Sequence, residues 1–231
     1  MPLIGPDDVQ AVLLSLRVAG VATLFGMPIA IIVAQALARG RFPGRRALDA
    51  LINLPLVLPP VATGFALLIV FGREGPVGAL FAGAGIVLAF HWTGAALAGA
   101  VMAFPLMVRP VRQAMEAQDP DLDAAARGLG AGALDRFWRI TLPLAAPGLA
   151  AGTLLGFARA LGEFGATITF AAAIPGETLT LPAAIYQAAQ TPGDETHALA
   201  LCGVAAVIAV AAAFASEALA TRITPGRRAA L

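Results

Sequence analysis

Five stretches of this chain are apolar enough, at about 20 residues or more, to cross a bilayer: roughly 13–38, 51–71, 86–108, 144–172 and 198–219. No other feature constrains the fold as strongly. Hydrocarbon offers no water to satisfy backbone N–H and C=O groups, so such stretches cross as helices. The predicted fold class is all-α, a polytopic membrane helix bundle of about five transmembrane helices over residues 10–220. Composition agrees, with 59% hydrophobic and 13% charged residues and a mean hydropathy of +0.83. Soluble domains run nearer to roughly 45–50% apolar and about 25% charged. Met1 to Gln10 hold Asp7 and Asp8 and no basic side chain. A secretory signal starts with positive charge, so the first stretch is expected to be a retained span. The Gly-rich stretch Val77 to Ala84 is too short to span and is expected to be an external loop.

Prolines interrupt the spans: Pro28 in the first, Pro55, Pro59 and Pro60 in the second, Pro105 in the third. Each removes a helix hydrogen bond, and in a membrane the freed carbonyls need protein or water as partners. The second span is therefore expected either to border a water path or to hold a packed kink. Arginine placement sets the orientation. Arg39, Arg41, Arg45 and Arg46 follow span one, Arg109, Arg112, Arg127, Arg136 and Arg139 follow span three, and Arg222, Arg227 and Arg228 follow span five. The two intervening loops share only Arg73. Positive loops stay cytoplasmic, which predicts an outside N-terminus and a cytoplasmic C-terminus.

The chain has no lysine; all fifteen basic side chains are arginine. A Walker A loop needs its lysine on the nucleotide phosphates, so ATP hydrolysis by that route is excluded, as is Schiff-base chemistry. A net charge of +1 without a basic, aromatic-studded patch points to no nucleic-acid partner. Cys202 is the one cysteine, and His91 and His197 lack metal-ligand spacing, so no metal site is expected. No catalytic constellation is found: Glu163 stands alone within the spans, Glu217 lying near the inner end of the fifth, at the interface.

The loop from Arg109 to Pro143 is long, and loops of this length are usually functional or disordered. Asp119, Pro120, Asp121 and Asp123 start a helix, Gly128, Gly130 and Gly132 interrupt it, and Leu134, Phe137, Trp138 and Ile140 mark a second helical piece. Phe137 and Trp138 cannot both enter one narrow seam, so at least one is expected against the bundle or a partner. The sequence Ala125-Ala126, three residues, Gly130, nine residues, Ile140-Thr141-Leu142-Pro143 resembles the "EAA" loop of ABC-importer permease subunits. Ala124 stands at the glutamate position, with Asp123 just before it. The resemblance implies a cytoplasmic coupling helix, carried by Asp123, Ala125, Ala126, Gly130, Ile140, Leu142 and Pro143, that docks on a separate ATPase subunit.

The fourth span carries Arg159 and Glu163, each costing about 2.5–3.5 kcal/mol near the bilayer centre on insertion scales. Four apart on one helix face, they can neutralise each other. Two readings stand: a functional pair, or a structural pair that fixes helix packing. Phe157 to Tyr186, Asn53 to Gly64 and Arg39 to Gly44 resemble molybdate permease subunits of ABC importers, and the similarity covers roughly residues 10–220. The Gly162-Glu163-Phe164-Gly165 core also occurs in sulfate and thiosulfate permeases; the continuation Ala166 to Phe170 and Ile174-Pro175-Gly176-Glu177-Thr178 favour molybdate. What the resemblance implies is a homodimer in the bacterial inner membrane, two cytoplasmic ATPase subunits that use ATP and Mg, an external molybdate-binding protein, and no cofactor bound by this chain. The pore would lie at the dimer interface, with Thr63, Thr167 and Thr169 as pore-side hydroxyls. The alternatives are a sulfate-type permease and, from another class, a secondary anion transporter that works without an ATPase.

Overall fold

The computed structural model describes residues 4–223. Arg227 and Arg228 lie outside the described residues, as does the side chain of Arg222. Every regular element among the described residues is a helix: α1 (Pro6–Arg39), α2 (Arg45–Val57), α3 (Pro60–Phe71), α4 (Gly78–Gly83), α5 (Trp92–Glu116), α6 (Pro120–Gly128), α7 (Ala133–Arg136), a π-helical turn (Phe137–Thr141), α8 (Leu142–Leu144), α9 (Ala146–Leu161), α10 (Gly165–Phe170), α11 (Leu181–Gln190) and α12 (Glu195–Ile223).

Three helices are long and apolar enough to cross a membrane alone: α1, α5 and α12. The 34 residues of α1 extend about 51 Å at ~1.5 Å per residue, well past a hydrocarbon core of about 30 Å. Two further crossings are bent pairs. The second apolar stretch is not one helix: α2 and α3 meet at 118° across Leu58 and Pro59. Pro59 has no N–H to donate and disfavours helical geometry at the residue before it. The stretch expected at 144–172 is two helices: α9 ends at Leu161, and Gly162 to Phe164 break the chain before α10. On its other side α9 meets the α7–α8 segment at 69°. The third span also differs from expectation. It starts at Trp92 rather than 86, and it runs through Arg109 and Arg112 to Glu116. The loop expected at Val77–Ala84 holds the single-turn helix α4.

Small residues bring the central helices together. Lipid tails are as apolar as leucine, so helices in a bilayer associate by close packing. On α9, Gly148, Gly152 and Gly156 recur every four residues against α5. A Cβ at Gly148 would lie 2.5 Å from the Pro110 carbonyl oxygen, and one at Gly152 would lie 2.8 Å from that of Met107. On α1 the buried stripe is Ala11, Ser15, Ala19, Ala22, Gly26, Ala30 and Ala34, while Leu24, Phe25, Ile29 and Ile32 point outward. Met107, Val111 and Met115 of α5 fill the centre of this three-helix core.

Polar contacts fix the direction of each helix. At one end the Arg17 guanidinium stacks 3.7 Å from the Trp92 ring centroid. At the same end the His197 ring lies within hydrogen-bond distance of Asp8 (3.0 Å) and Asp194 (3.1 Å), tying α1 to the start of α12. At the other end Arg39 donates to the Met115 carbonyl oxygen and to Gln118. So α1 and α5 run parallel, and α9 returns antiparallel to them. The loops after α1 and after α5 meet at this arginine-rich end.

Candidate functional site

The segment after α5 is built from its caps inward. Asp119 accepts from the Asp121 N–H at 2.9 Å and so caps α6, with Pro120 in the first helical position. The C-terminal end of α6 is a Schellman turn: the Ala131 N–H donates to the Ala126 carbonyl and the Gly130 N–H to that of Arg127, both at 3.0 Å. Gly130 supplies the left-handed residue this turn requires, with φ of 85°. Of the three glycines expected to interrupt the helix, Gly128 lies within α6 and Gly132 has extended geometry.

Asp123 ties the two halves of the segment together. Its carboxylate accepts from Arg127 at 2.7 Å and from Arg136 at 2.8 Å, and Arg136 also donates to the Ala131 carbonyl at 2.7 Å. One acidic side chain thus connects α6, its turn and α7. The Arg127 and then the Arg136 hydrogen bonds hold the Asp123 carboxyl below the ordinary carboxylate range. The Gln118 side chain closes the segment: it donates to the Thr141 carbonyl at 2.8 Å and accepts from Arg39. Sequence reasoning missed Gln118, Arg39 and the bridging role of Arg136, because their partners lie 13 to 79 residues away.

Both aromatic side chains find separate places. Phe137 packs against the Met107–Met115 core, and Trp138 stays 59% exposed. They sit on the π-helical turn, a geometry frequent at functional sites. Ala125 and Gly130 are exposed, Ala126, Ile140 and Leu142 are half-buried, and Pro143 is exposed. Together with Leu122, Leu129 (89% exposed), Leu134 and Trp138 they give this end an apolar relief on a polar frame. A monomeric surface has little reason to present such a relief.

Arg159 and Glu163 meet at the break in the fourth stretch. One Glu163 oxygen accepts from the Ala166 N–H at 2.8 Å and so caps α10; the other pairs with Arg159. Glu163 is 3% exposed, so this pairing compensates a buried carboxylate. Next to it, α10 packs tightly on α3. A Cβ at Gly64 would lie 2.5 Å from the Ala166 carbonyl oxygen, and one at Gly165 would lie 2.7 Å from Pro60. Thr63 and Thr167 are buried on these two helices, and the Thr63 hydroxyl has no partner among the described residues. Thr169 donates to its own helix at Gly165. The structure thus brings α3, α10 and the Arg159–Glu163 pair to one break, at the opposite end of the 16-residue α9 from its junction at Ala145, about 24 Å away at ~1.5 Å per residue. Among the described residues no cluster of three or more His, Cys, Asp or Glu could hold a metal ion.

Residues 26–228 match the family described as binding-protein-dependent transport system inner membrane component. The chain belongs to that family. Within it, the chain is 53% identical over 212 residues to the molybdenum transport system permease protein ModB of Escherichia coli strain K12, covering 91% of this chain and 93% of that one. It is 48% identical over 217 residues to the ModB of Haemophilus influenzae, covering 94% and 95%. The sulfate transport system permease protein CysW of Synechococcus elongatus is 38% identical over 191 residues, covering 81% and 65%. Among solved structures, a bacterial ABC transporter that imports alginate superposes with a TM-score of 0.77 at 19% identity, covering 95% of this chain and 81% of that one. At such identity the likeness shows the fold alone. The chain is therefore a multi-pass membrane protein of the permease family.

Proposed function

We propose that this chain is the membrane-spanning permease subunit of an ATP-driven importer that carries molybdate across the inner membrane. The observation that carries the cargo is the 53% identity to a molybdenum permease over nearly the whole chain, against 38% to a sulfate permease. Two copies would form the pore, and an external molybdate-binding protein would deliver the ion. ATP and Mg would act in two separate ATPase subunits. In this reading the arginine-rich end is cytoplasmic and the N-terminus faces outside.

The geometry supports a division of labour. The α6–α7 segment is braced internally by Asp123 and Arg136 and anchored through Gln118 to Arg39 of α1, which also holds the Met115 carbonyl of α5. A braced element transmits a rigid-body displacement instead of absorbing it. The 69° junction at Ala145 passes that displacement to α9, whose far end carries the α9–α10 break. There the Glu163 cap and its Arg159 partner position the break, and Thr63, Thr167 and Thr169 stand on the helices beside it. The unpartnered Thr63 hydroxyl is buried between α3 and α10 and would become a donor for a passing dianion only once this packing opens.

The test is the assembled complex in lipid, with ATP hydrolysis measured as the binding protein is loaded with molybdate or with sulfate. Stimulation by molybdate well above that by sulfate is the expected result. Equal or larger stimulation by sulfate would reassign the cargo and leave the family standing.

A further inference from the structure

A second charged site lies where α2 crosses the arginine-rich end of α5. It is a hollow of about 470 Å³ lined by Phe42, Gly44, Arg45, Arg46, Asp49 and Arg112. Three guanidinium groups meet two carboxylates there, Asp49 in the lining and Glu116 beside it. Arg112 is fully engaged, donating to Asp49 at 2.9 Å and to Glu116 at 2.8 Å. Arg45 reaches Glu116 only at 3.6 Å. Arg46 is exposed and has no ion-pair partner among the described residues. The lining therefore carries one surplus positive charge, with Arg46 free to turn toward a ligand and Arg45 held by a single long pair.

The same helix has an apolar outer face. Ala47, Leu51, Leu54 and Leu58 recur at i, i+4, i+7 and i+11, and all are exposed. The inner face, Leu48 and Ile52, packs on the Met107–Met115 core. The 118° turn into α3 sets α2 apart from an ordinary straight span. The 13 residues of α2 thus carry a charged hollow at one end of an apolar stripe and the turn at the other. That is the layout of a molecule with an anionic head and hydrocarbon tails.

We infer that this hollow and stripe form a binding site for an anionic phospholipid, with the phosphodiester between Arg45 and Arg46 and an acyl chain along Leu51 and Leu54. Charge complementarity favours the anionic headgroup, and the exposed stripe favours a lipid over a free anion. Asp49 and Glu116 keep Arg112 turned inward, so the two α2 arginines supply the recognition. The site is remote from the α9–α10 break and does not depend on which ion is transported.

The full chain in phosphatidylcholine nanodiscs doped with spin-labelled phosphatidylglycerol would test it, reading the immobilised lipid fraction. Each arginine near a surface adds roughly fivefold to anionic-lipid preference. Arg46→Gln is expected to lower the preference for phosphatidylglycerol over phosphatidylcholine by about that factor, and the pair Arg45→Gln with Arg46→Gln by more. Arg73→Gln, at the opposite end, is expected to leave it unchanged. Leu51→Ser is expected to weaken the immobilised signal while the charges remain. Any of three results would overturn the inference: an unchanged preference in the double variant, displacement of the labelled lipid by inorganic phosphate alone, or cross-linking through position 51 showing that a second copy covers the stripe.

Discussion

Replacing Asp123 by alanine removes a side chain that touches neither the transported ion nor the bundle core, so its effect isolates the brace. Two bonds are lost. The Arg127 pair is an exposed i,i+4 contact, worth about 0.3–0.5 kcal/mol. The Arg136 pair is better shielded, with the arginine side chain 17% exposed, and a hydrogen bond to a charged group contributes roughly 1.5 kcal/mol. Together they come to about 2 kcal/mol, or about a thirtyfold shift toward an opened segment. Hydrogen exchange on the chain in nanodiscs reads this directly. The amides of Gly130 and Ala131, which close the Schellman turn, are expected to exchange tens of times faster, while those of α5 and α9 stay unchanged. In the assembled transporter, substrate-stimulated ATP hydrolysis should fall as the segment loosens. The pH dependence carries a sign. The folded carboxyl titrates below its unfolded value of about 3.9, so the brace is at full strength above that value and is lost as pH falls through the depressed one. Exchange at Gly130 and Ala131 that matches the unsubstituted protein, or a brace already lost between about pH 5 and 6, would refute this reasoning.

Substitutions at three further positions follow from the geometry. Gly130→Ala forces a side chain into φ of 85° with nothing within 4 Å to clash; the cost is purely conformational, about 1–2 kcal/mol, and Gly130→Asp should uncouple ATP hydrolysis from uptake while the chain still inserts. Gly64→Ala puts a Cβ 2.5 Å from the Ala166 carbonyl oxygen and 2.8 Å from its Cα. Neither backbone atom can rotate away, so a clear drop in thermal stability in detergent is expected. Glu163→Gln keeps an oxygen to cap α10 but leaves Arg159 without its anion, so assembly yield should fall with the molybdate-to-sulfate ratio unchanged; a switch in ion preference with normal assembly would instead place Glu163 in the ion path.

Much of this was legible because bilayer chemistry restricts the options. Apolar length located α1, α5 and α12, and the prolines marked the second stretch as irregular. The size of the irregularity was not legible, since Pro55, Pro59 and Pro60 say that a helix breaks and not that it turns by 118°. The fourth stretch read as continuous because Gly162 and Gly165 are tolerated in membrane helices; the buried Glu163 was the signal, and its carboxylate caps the helix that follows. The helix α11 was missed because ten residues cannot span a membrane. Thr180 at its cap, Pro182 in its first turn and the buried Leu181, Ala184 and Ala188 carry a helix signature all the same. In the segment after α5 the glycine turn was visible, whereas the Asp123–Arg136 bridge depends on how the turn folds back.

In the proposed function this chain moves an oxyanion only when another protein supplies work through the α6–α7 segment. The direct measurement is uptake of radiolabelled molybdate into proteoliposomes that hold the chain alone, or the chain with its ATPase and binding protein. Accumulation is predicted only in the second case and only with ATP. Uptake by the chain alone at a comparable rate would contradict the account.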